Sequence, residues 1–418
     1  MHGSLALKER RYWFCDIVDC WGLRPTSQPI STAWRRGCPA WVGIRSLMQN
    51  LICRGRLRKA ENMLTALEVY RFRGIKELKL EGLTQVNVLL GRNNVGKSSI
   101  LEALYLASAA FRYDDPLGRE KNKIMYLLNR RGPRGLKWNE GKRTLWYQYD
   151  TSEPIGLVLR RETRALNVTL REDHVHPVIV EPKGGGLRCM ICGMYYAGGR
   201  WMMPTPDSIR RVRERVDEFA PGLASFAEGM MFIDTPLLRD IRRIEDVLWT
   251  PLLEKRLDRL VVKTLSSGYD VAIEDLTYAR FGGVIQLVAK LPHMSIRVDD
   301  LGDGARYALV MLMATALSRN TALLIEGPES HQHPGGLAKT LEMMLDAVKE
   351  NNSQLFVETH SVEFVRLLEA IGREKGIKTT TFFLERDEDG HVTARSIKPD
   401  DRELLTKLGL DIRFLDII

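Results

Sequence analysis

The sequence predicts an α/β fold with a parallel core sheet, an antiparallel β meander and a helical lid insert. Three observations predict it. The last third alternates short apolar runs with amphipathic helical stretches, a pattern that requires a parallel sheet with helices on its faces. A buried-strand run at 86–90 leads through a glycine-bearing loop at 91–97 into a helical pattern at 98–109. Period-two stretches fall between 144 and 180, as strands of an antiparallel meander do.

The elements follow in order from Met63. Residues 67–72 and 78–80 read as a strand pair about Arg73-Gly74, and the 98–109 helix carries Ile100, Leu101, Leu104 and Leu106 on its apolar positions. Residues 113–142 are charged and loop-rich, 144–147, 156–159, 166–170 and 178–180 alternate as strands, and 183–200 is a glycine-rich loop. Residues 207–266 read as helical, followed by three short strands near 271–277, 284–290 and 295–298. Helix is then expected at 305–317, 335–349 and 362–371, with strands at 322–325, 355–358 and 379–384. Neither an internal repeat nor sustained heptads occur, which argues against a long coiled coil.

The 418 residues include 44% hydrophobic and 28% charged, ordinary values for a globular protein. No apolar run approaches the roughly 18 residues of a membrane span, and no secretory signal is legible, so the expectation is a cytoplasmic protein without a membrane partner. The net charge of +9 is unevenly placed. Residues 1–62 hold 11 Lys/Arg against 4 Asp/Glu, and the remainder holds 51 against 49. A near-neutral body carries little electrostatic footprint for nucleic acid. The same 62 residues hold four of the six cysteines and four of the eight tryptophans with no surviving period. They read as a poorly structured extension translated from a misassigned start, with a basic nucleic-acid arm as the alternative. Cysteine spacings of 5, 18 and 15 match no zinc pattern.

The chemistry concentrates in Gly91-Arg92-Asn93-Asn94-Val95-Gly96-Lys97-Ser98, which fits the phosphate-loop pattern G-x-x-x-x-G-K-[ST]. Its strand-before, helix-after context is the one the motif requires. Glycines let consecutive backbone N–H groups turn onto phosphate oxygens, and the following helix aims its positive end at the same anion. Lys97 supplies a point charge to the β- and γ-phosphates, and Ser98 supplies a hydroxyl to Mg²⁺. A second metal-holding element is expected at 321–326, an apolar strand ending in Glu326, as a Walker B strand does.

Further strings extend this pattern: Phe72-Arg73-Gly74-Ile75 ahead of the loop, GRNNVGKSS through Ser99, Leu301-Gly302-Asp303-Gly304-Ala305-Arg306, the run from Glu326 through Pro334, and Glu358-Thr359-His360-Ser361. In order and spacing they resemble ABC-type P-loop ATPases of the SMC/RecF/OLD branch, loosely called AAA family ATPases. The likeness covers roughly 64–110 and 295–385. It implies ATP and Mg²⁺ as cofactors, with Arg73, Gly91, Asn93, Asn94, Val95, Gly96, Lys97, Ser98 and Ser99 at the nucleotide and Ser98 and Glu326 at the metal. It also implies that Gly302, Asp303 and Gly304, the signature motif, face the γ-phosphate held by a second copy, making an ATP-dependent homodimer. His360 would contact the γ-phosphate or orient water. DNA or a separate nuclease or effector is the implied partner, since the 57 residues after Ser361 are too few for a TOPRIM nuclease domain. The implied organisation is a 1–62 extension, an ATPase N-lobe at 63–205, a helical lid or arm at 206–294 and an ATPase C-lobe at 295–418.

Two positions depart from the branch. Gly302 stands where the transporter-type signature has serine. Gly327 stands where the general-base glutamate follows the Walker B carboxylate, which leaves Glu329, two residues on, as the candidate base. The expectation is therefore ATP-driven assembly with slow hydrolysis, with a non-hydrolysing assembly switch as the alternative; a transporter nucleotide-binding subunit fits the signature less well. Gly327→Glu is expected to raise the rate unless Gly327 takes a positive φ. Cys189 and Cys192 form a lone C-x-x-C, and Arg210, Arg211, Arg213 and Arg215 read as a solvated helix face before a phosphate track. Gln148 is the weak candidate for the Q-loop.

Overall fold

The first strands turn back on each other because Arg73-Gly74 reverses the chain. Ala66–Phe72 (β1) pairs antiparallel with Ile75–Glu81 (β2), bringing Phe72 opposite Ile75. Val86–Gly91 (β3) then enters the sheet centre and delivers the glycine loop to helix Lys97–Ser108 (α1). Lys123–Arg130 (α2) and the single turn Trp138–Gly141 (α3) precede the meander Ile155–Arg161 (β4), Arg164–Leu170 (β5) and Val175–Ile179 (β6). The computed structural model describes residues 63–398 apart from 134, 180–194, 198–199, 203–204 and 270–271, and also describes 401. The readings of residues 1–62, of the Cys189/Cys192 pair and of most of the glycine-rich loop lie outside these residues.

Tyr195–Ala197 (β7) and Arg200–Met202 (β8) form a two-stranded ribbon. Helices Pro206–Phe219 (α4) and Leu223–Glu228 (α5) lead to the three-residue strand Met231–Ile233 (β9). Ile241–Glu254 (α6) and Asp258–Gly268 (α7) precede a separate antiparallel sheet of Asp275–Phe281 (β10), Val284–Lys290 (β11) and Ser295–Arg297 (β12). The alternating last third follows: Asp303–Leu317 (α8), Ala322–Glu326 (β13), Pro334–Glu350 (α9), Gln354–Glu358 (β14), Val362–Lys375 (α10), Thr379–Arg386 (β15) and His391–Ile397 (β16). Sequence chemistry sets these boundaries. Pro334 opens α9, where its missing N–H is harmless. Ser361 caps α10 by accepting from the Phe364 N–H, and left-handed Gly376 ends it.

Eleven strands form one sheet in the order β6-β5-β4-β1-β2-β16-β15-β3-β14-β13-β9. The run β15-β3-β14-β13-β9 is parallel throughout, and the β1–β6 wing is antiparallel apart from the β2–β16 pairing. Alternation along each core strand feeds two cores, one on each face of the sheet. Leu324, Phe356 and Phe232 pack with α1 on one face, while Leu323, Ile325, Leu355 and Val357 pack with α8, α9 and α10 on the other.

Two sequence expectations give way. Residues 144–147 are 3-10 turns around Trp146, whose one bridge is to Phe72, because Gln148 and Tyr149 take positive φ of 51° and 61°. Residues 207–266 are not helical throughout, since β9 interrupts them and joins β13 at the sheet edge. Three residues are too few to display a period. No helix among the described residues is long and apolar enough to cross a membrane.

Candidate functional site

The glycine loop folds as its residue types require. Gly91 and Gly96 sit at φ +147° and +110°, and a Cβ on Gly91 would meet the Leu384 carbonyl at 2.6 Å. Asn94 takes φ 64°, a conformation asparagine tolerates better than most residues. Lys97 lies back across the loop, its Nζ donating to the Gly91 and Arg92 carbonyls at 3.0 and 2.8 Å. Burial holds the Lys97 amine below its usual range, opposed by the charge of Glu358.

Beside the loop is a cavity of about 450 Å³ at the N-terminus of α1, lined by Asn93, Asn94, Gly96, Lys97, Ser98 and Ser99, by Glu326, Glu358 and His360, and by Gly74, Arg130, Arg131, Thr235 and Pro236. Gly91, Asn93 and His360 also line an adjoining cavity of about 410 Å³. Most of the residues expected at the nucleotide thus converge. The Ser98 hydroxyl lies 3.4 Å from Glu326 Oε1. Burial, reinforced by Lys97, lowers the His360 pKa, so the imidazole facing the cavity is neutral at pH 7.

Other expected residues lie elsewhere. Arg73 does not line either cavity; its guanidinium is held by Glu102 at 2.9 Å and by the Thr144 and Leu127 carbonyls, so it fastens α1 to the N-terminal hairpin. Val95 is buried and packs beneath the loop. Gly302, Asp303 and Gly304 lie at the start of α8, with Gly302 and Asp303 exposed and outside the cavity. A Cβ on Gly304 would sit 2.4 Å from the His331 carbonyl, so only glycine allows α8 to approach the 329–333 turn. Gln332 Nε2 donates to the Gly304 carbonyl at 2.8 Å, and Tyr307 Oη donates to the Glu326 carbonyl at 2.7 Å.

Glu329 is committed to the neighbouring strand end: its Oε1 accepts from Thr359 Oγ1 at 2.6 Å and from the His360 N–H at 3.3 Å. Gly327 takes φ +56°, and a Cβ there would meet Ser330 Oγ at 2.8 Å. The rate gain expected from Gly327→Glu is therefore blocked by backbone strain and by the turn. Gln148 is absent from the cavity lining.

Sequence reasoning missed the charges that frame the cavity. Arg130 is 4% exposed and pairs with Glu102, with Asp234 and with Glu326. Asp234 follows β9 and is buried, accepting also from Tyr126 Oη at 2.5 Å and from Arg119 at 3.2 Å. Burial would raise the Glu102 carboxyl, but Arg73, Arg130 and Arg131 hold it below the usual range. The signal for Asp234 was present: Met231-Phe232-Ile233-Asp234 is an apolar run ending in a carboxylate, as 321–326 is.

Glu358 belongs to the Glu358-Thr359-His360-Ser361 string, whose likeness assigns it no role. It stands beside Glu326 in the β13–β14 register, and burial raises its pKa against the pull of Ser98 and Lys97. The oxygen donors Ser98, Glu326 and Glu358 suit a hard divalent cation. Among the described residues no three His, Cys, Asp or Glu side chains converge to hold a metal alone. Phosphate oxygens would have to complete the shell.

Comparison with known proteins places the sequence. Uncharacterized protein MJECL11 of Methanocaldococcus jannaschii is 32% identical over 113 residues, which are 99% of that protein and 27% of this chain. The chain belongs to its family. A family model described as a protein of unknown function, DUF2813, matches residues 62–113, the hairpin, the phosphate loop and α1. An ATP/GTP phosphatase of Helicobacter pylori is 21% identical over 377 residues, 82% of this chain and 97% of that one. A solved SMC head bound to the C-terminal winged-helix domain of ScpA aligns over 81% of this chain and 99% of that chain, at TM-score 0.45 and 13% identity. At that score the P-loop α/β fold rests on the strand order and the loop themselves.

Proposed function

We propose that the chain is a Mg²⁺-dependent ATPase of the SMC/RecF/OLD kind. One observation carries the reading: a glycine loop with its lysine, two strand-end carboxylates and a neutral histidine converge on one cavity at a helix N-terminus. The loop amides and the α1 dipole favour a polyphosphate there, and Lys97, Arg130 and Arg131 add positive charge. Ser98 and Glu326 would hold Mg²⁺, which would neutralise charge on the transferring phosphoryl group. The Helicobacter relative's name points the same way.

ATP is proposed to draw two copies together. The start of α8 is exposed and outside its own cavity, so a second copy is the natural source of the phosphate it would face. Hydrolysis is slow in this reading, because Gly327 offers no base and Glu329 is hydrogen-bonded to the His360 segment. A missing general base commonly costs about 10²–10⁴ in rate. Those same observations favour the second reading, an assembly switch that releases without hydrolysing. DNA, or a separate nuclease or effector, is the proposed partner of a cytoplasmic, OLD-like body, with the 206–294 region as its lid or arm.

Lys97→Ala tests the site. Binding of a fluorescent ATP analogue is expected to weaken at least about thirtyfold with little change in melting temperature, since losing a charge-assisted hydrogen-bonding cation removes roughly 2 kcal/mol or more. Sedimentation with a non-hydrolysable analogue is expected to show a dimer for the parent only. Equal ATP affinity in the variant would overturn the assignment.

A further inference from the structure

We infer that Glu358 is a third protein ligand, directly or through water, of the divalent cation that accompanies the nucleotide. The inference rests on the reading of the cavity as a metal–nucleotide site and deepens it.

Strand alternation makes the placement unavoidable. Leu324 and Phe356 point into the α1 face of the sheet, and two residues later on each strand come Glu326 and Glu358. The register pairs these two glutamates directly, at the ends of adjacent parallel strands. β14 also pairs with β3, bringing Glu358 beside Leu89, just ahead of the phosphate loop. Glu358 thus stands between the loop and Glu326, lining the same cavity as Ser98, whose hydroxyl lies 3.4 Å from Glu326 Oε1.

Lys97, Arg130 and Arg131 place positive charge near Glu358, but they leave one of its oxygens without a hydrogen bond. The residue is 6% exposed and lines the cavity, yet its Oε2 is buried without a hydrogen-bond partner. An unpaired buried carboxylate oxygen is costly, and a second carboxylate one strand away adds repulsion when both are ionised. A divalent cation between Ser98, Glu326 and Glu358 supplies a partner for the orphan oxygen and offsets the paired charges. The neighbouring acid, Glu329, also has an unpartnered Oε2, but it lies outside the cavity lining and its Oε1 is held by Thr359 and the His360 N–H.

Mn²⁺ is the probe, with free Mn²⁺ counted by EPR in the presence of a non-hydrolysable ATP analogue. Glu358→Gln keeps the shape and removes the charge. It is expected to weaken Mn²⁺ at least about tenfold, while analogue affinity in EDTA does not fall, since losing a carboxylate beside the polyphosphate only lessens repulsion. Glu358→Asp, which keeps the charge, is expected to retain more of the Mn²⁺ affinity than the Gln variant. Unchanged or tighter Mn²⁺ binding by a folded Gln variant would overturn the inference and leave the proposed function standing. A parent that binds neither analogue nor Mn²⁺ would overturn both.

Discussion

Arginine is used in opposite ways in two regions of this molecule. Around the cavity, Arg73, Arg119 and Arg130 are 4–9% exposed, and their partners Glu102, Asp115 and Asp234 are fully buried. On α4, Arg210 and Arg215 are 57–67% exposed and reach Asp207 and Glu218 at 3.3 and 3.5 Å across one helical turn. The first set joins elements far apart in the chain, from the N-terminal hairpin to β9. The second joins a helix to itself. Position in the dielectric, not residue type, decides what each charge does: water screens the helix pairs, whereas the buried network must balance almost charge for charge.

The largest effect is expected from Arg130→Ala. The change leaves Asp234 and Glu102 short of a cation in the interior, and breaking such a pair costs about 3–5 kcal/mol. Urea unfolding of the nucleotide-free protein measures it; a loss below about 1 kcal/mol would show the network to be dispensable.

A pH experiment sharpens the contrast. Lys123 is buried beside this network and donates to Ser108 Oγ at 2.8 Å. Burial, aided by Arg112, lowers its pKa to about 7, with Asp115, Asp114 and Glu228 opposing. The unfolded chain keeps the ordinary value near 10.5, so between pH 7 and 10.5 it binds a proton that the folded state does not. Lys123's contribution therefore makes stability rise with pH across that window, by up to about 1.4 kcal/mol per pH unit, and the slope flattens below pH 7. Lys123→Met is expected to remove this slope, as read by denaturant titrations at pH 7 and pH 9.

The smallest effect belongs to α4. Arg210→Ala or Arg215→Ala is expected to change stability by no more than about 0.5 kcal/mol, since exposed helix pairs contribute little. A loss above about 2 kcal/mol would erase the distinction between the two regions.

What the sequence disclosed follows the same division. The glycine loop, Glu326 and His360 were legible because their chemistry depends on local spacing, and α8, β13, α9, β14, α10 and β15 were legible because their periods are long and clean. The buried charges were not. Arg130 lies in a stretch whose composition reads as a loop, and its three partners come from α1, from the end of β9 and from β13. Arg73 was expected at the nucleotide because its neighbours resemble a known string; Glu102, 29 residues away, holds it in the interior. Gly327 shows the limit at a single residue: its missing side chain was visible, but the positive φ that forbids restoring one belongs to the turn through Ser330.

The close fit of Gly304 against the 329–333 turn has a mechanical consequence. With Gln332 bonded to the Gly304 carbonyl and Tyr307 to that of Glu326, the exposed start of α8 and the carboxylate at the end of β13 are tied through one short chain of contacts. A displacement of Gly302 or Asp303 would pull on a helix whose first turns are bonded both to the 329–333 turn and to the end of β13. Were ligands at the two ends coupled through this tie, each would change the other's affinity by the same factor.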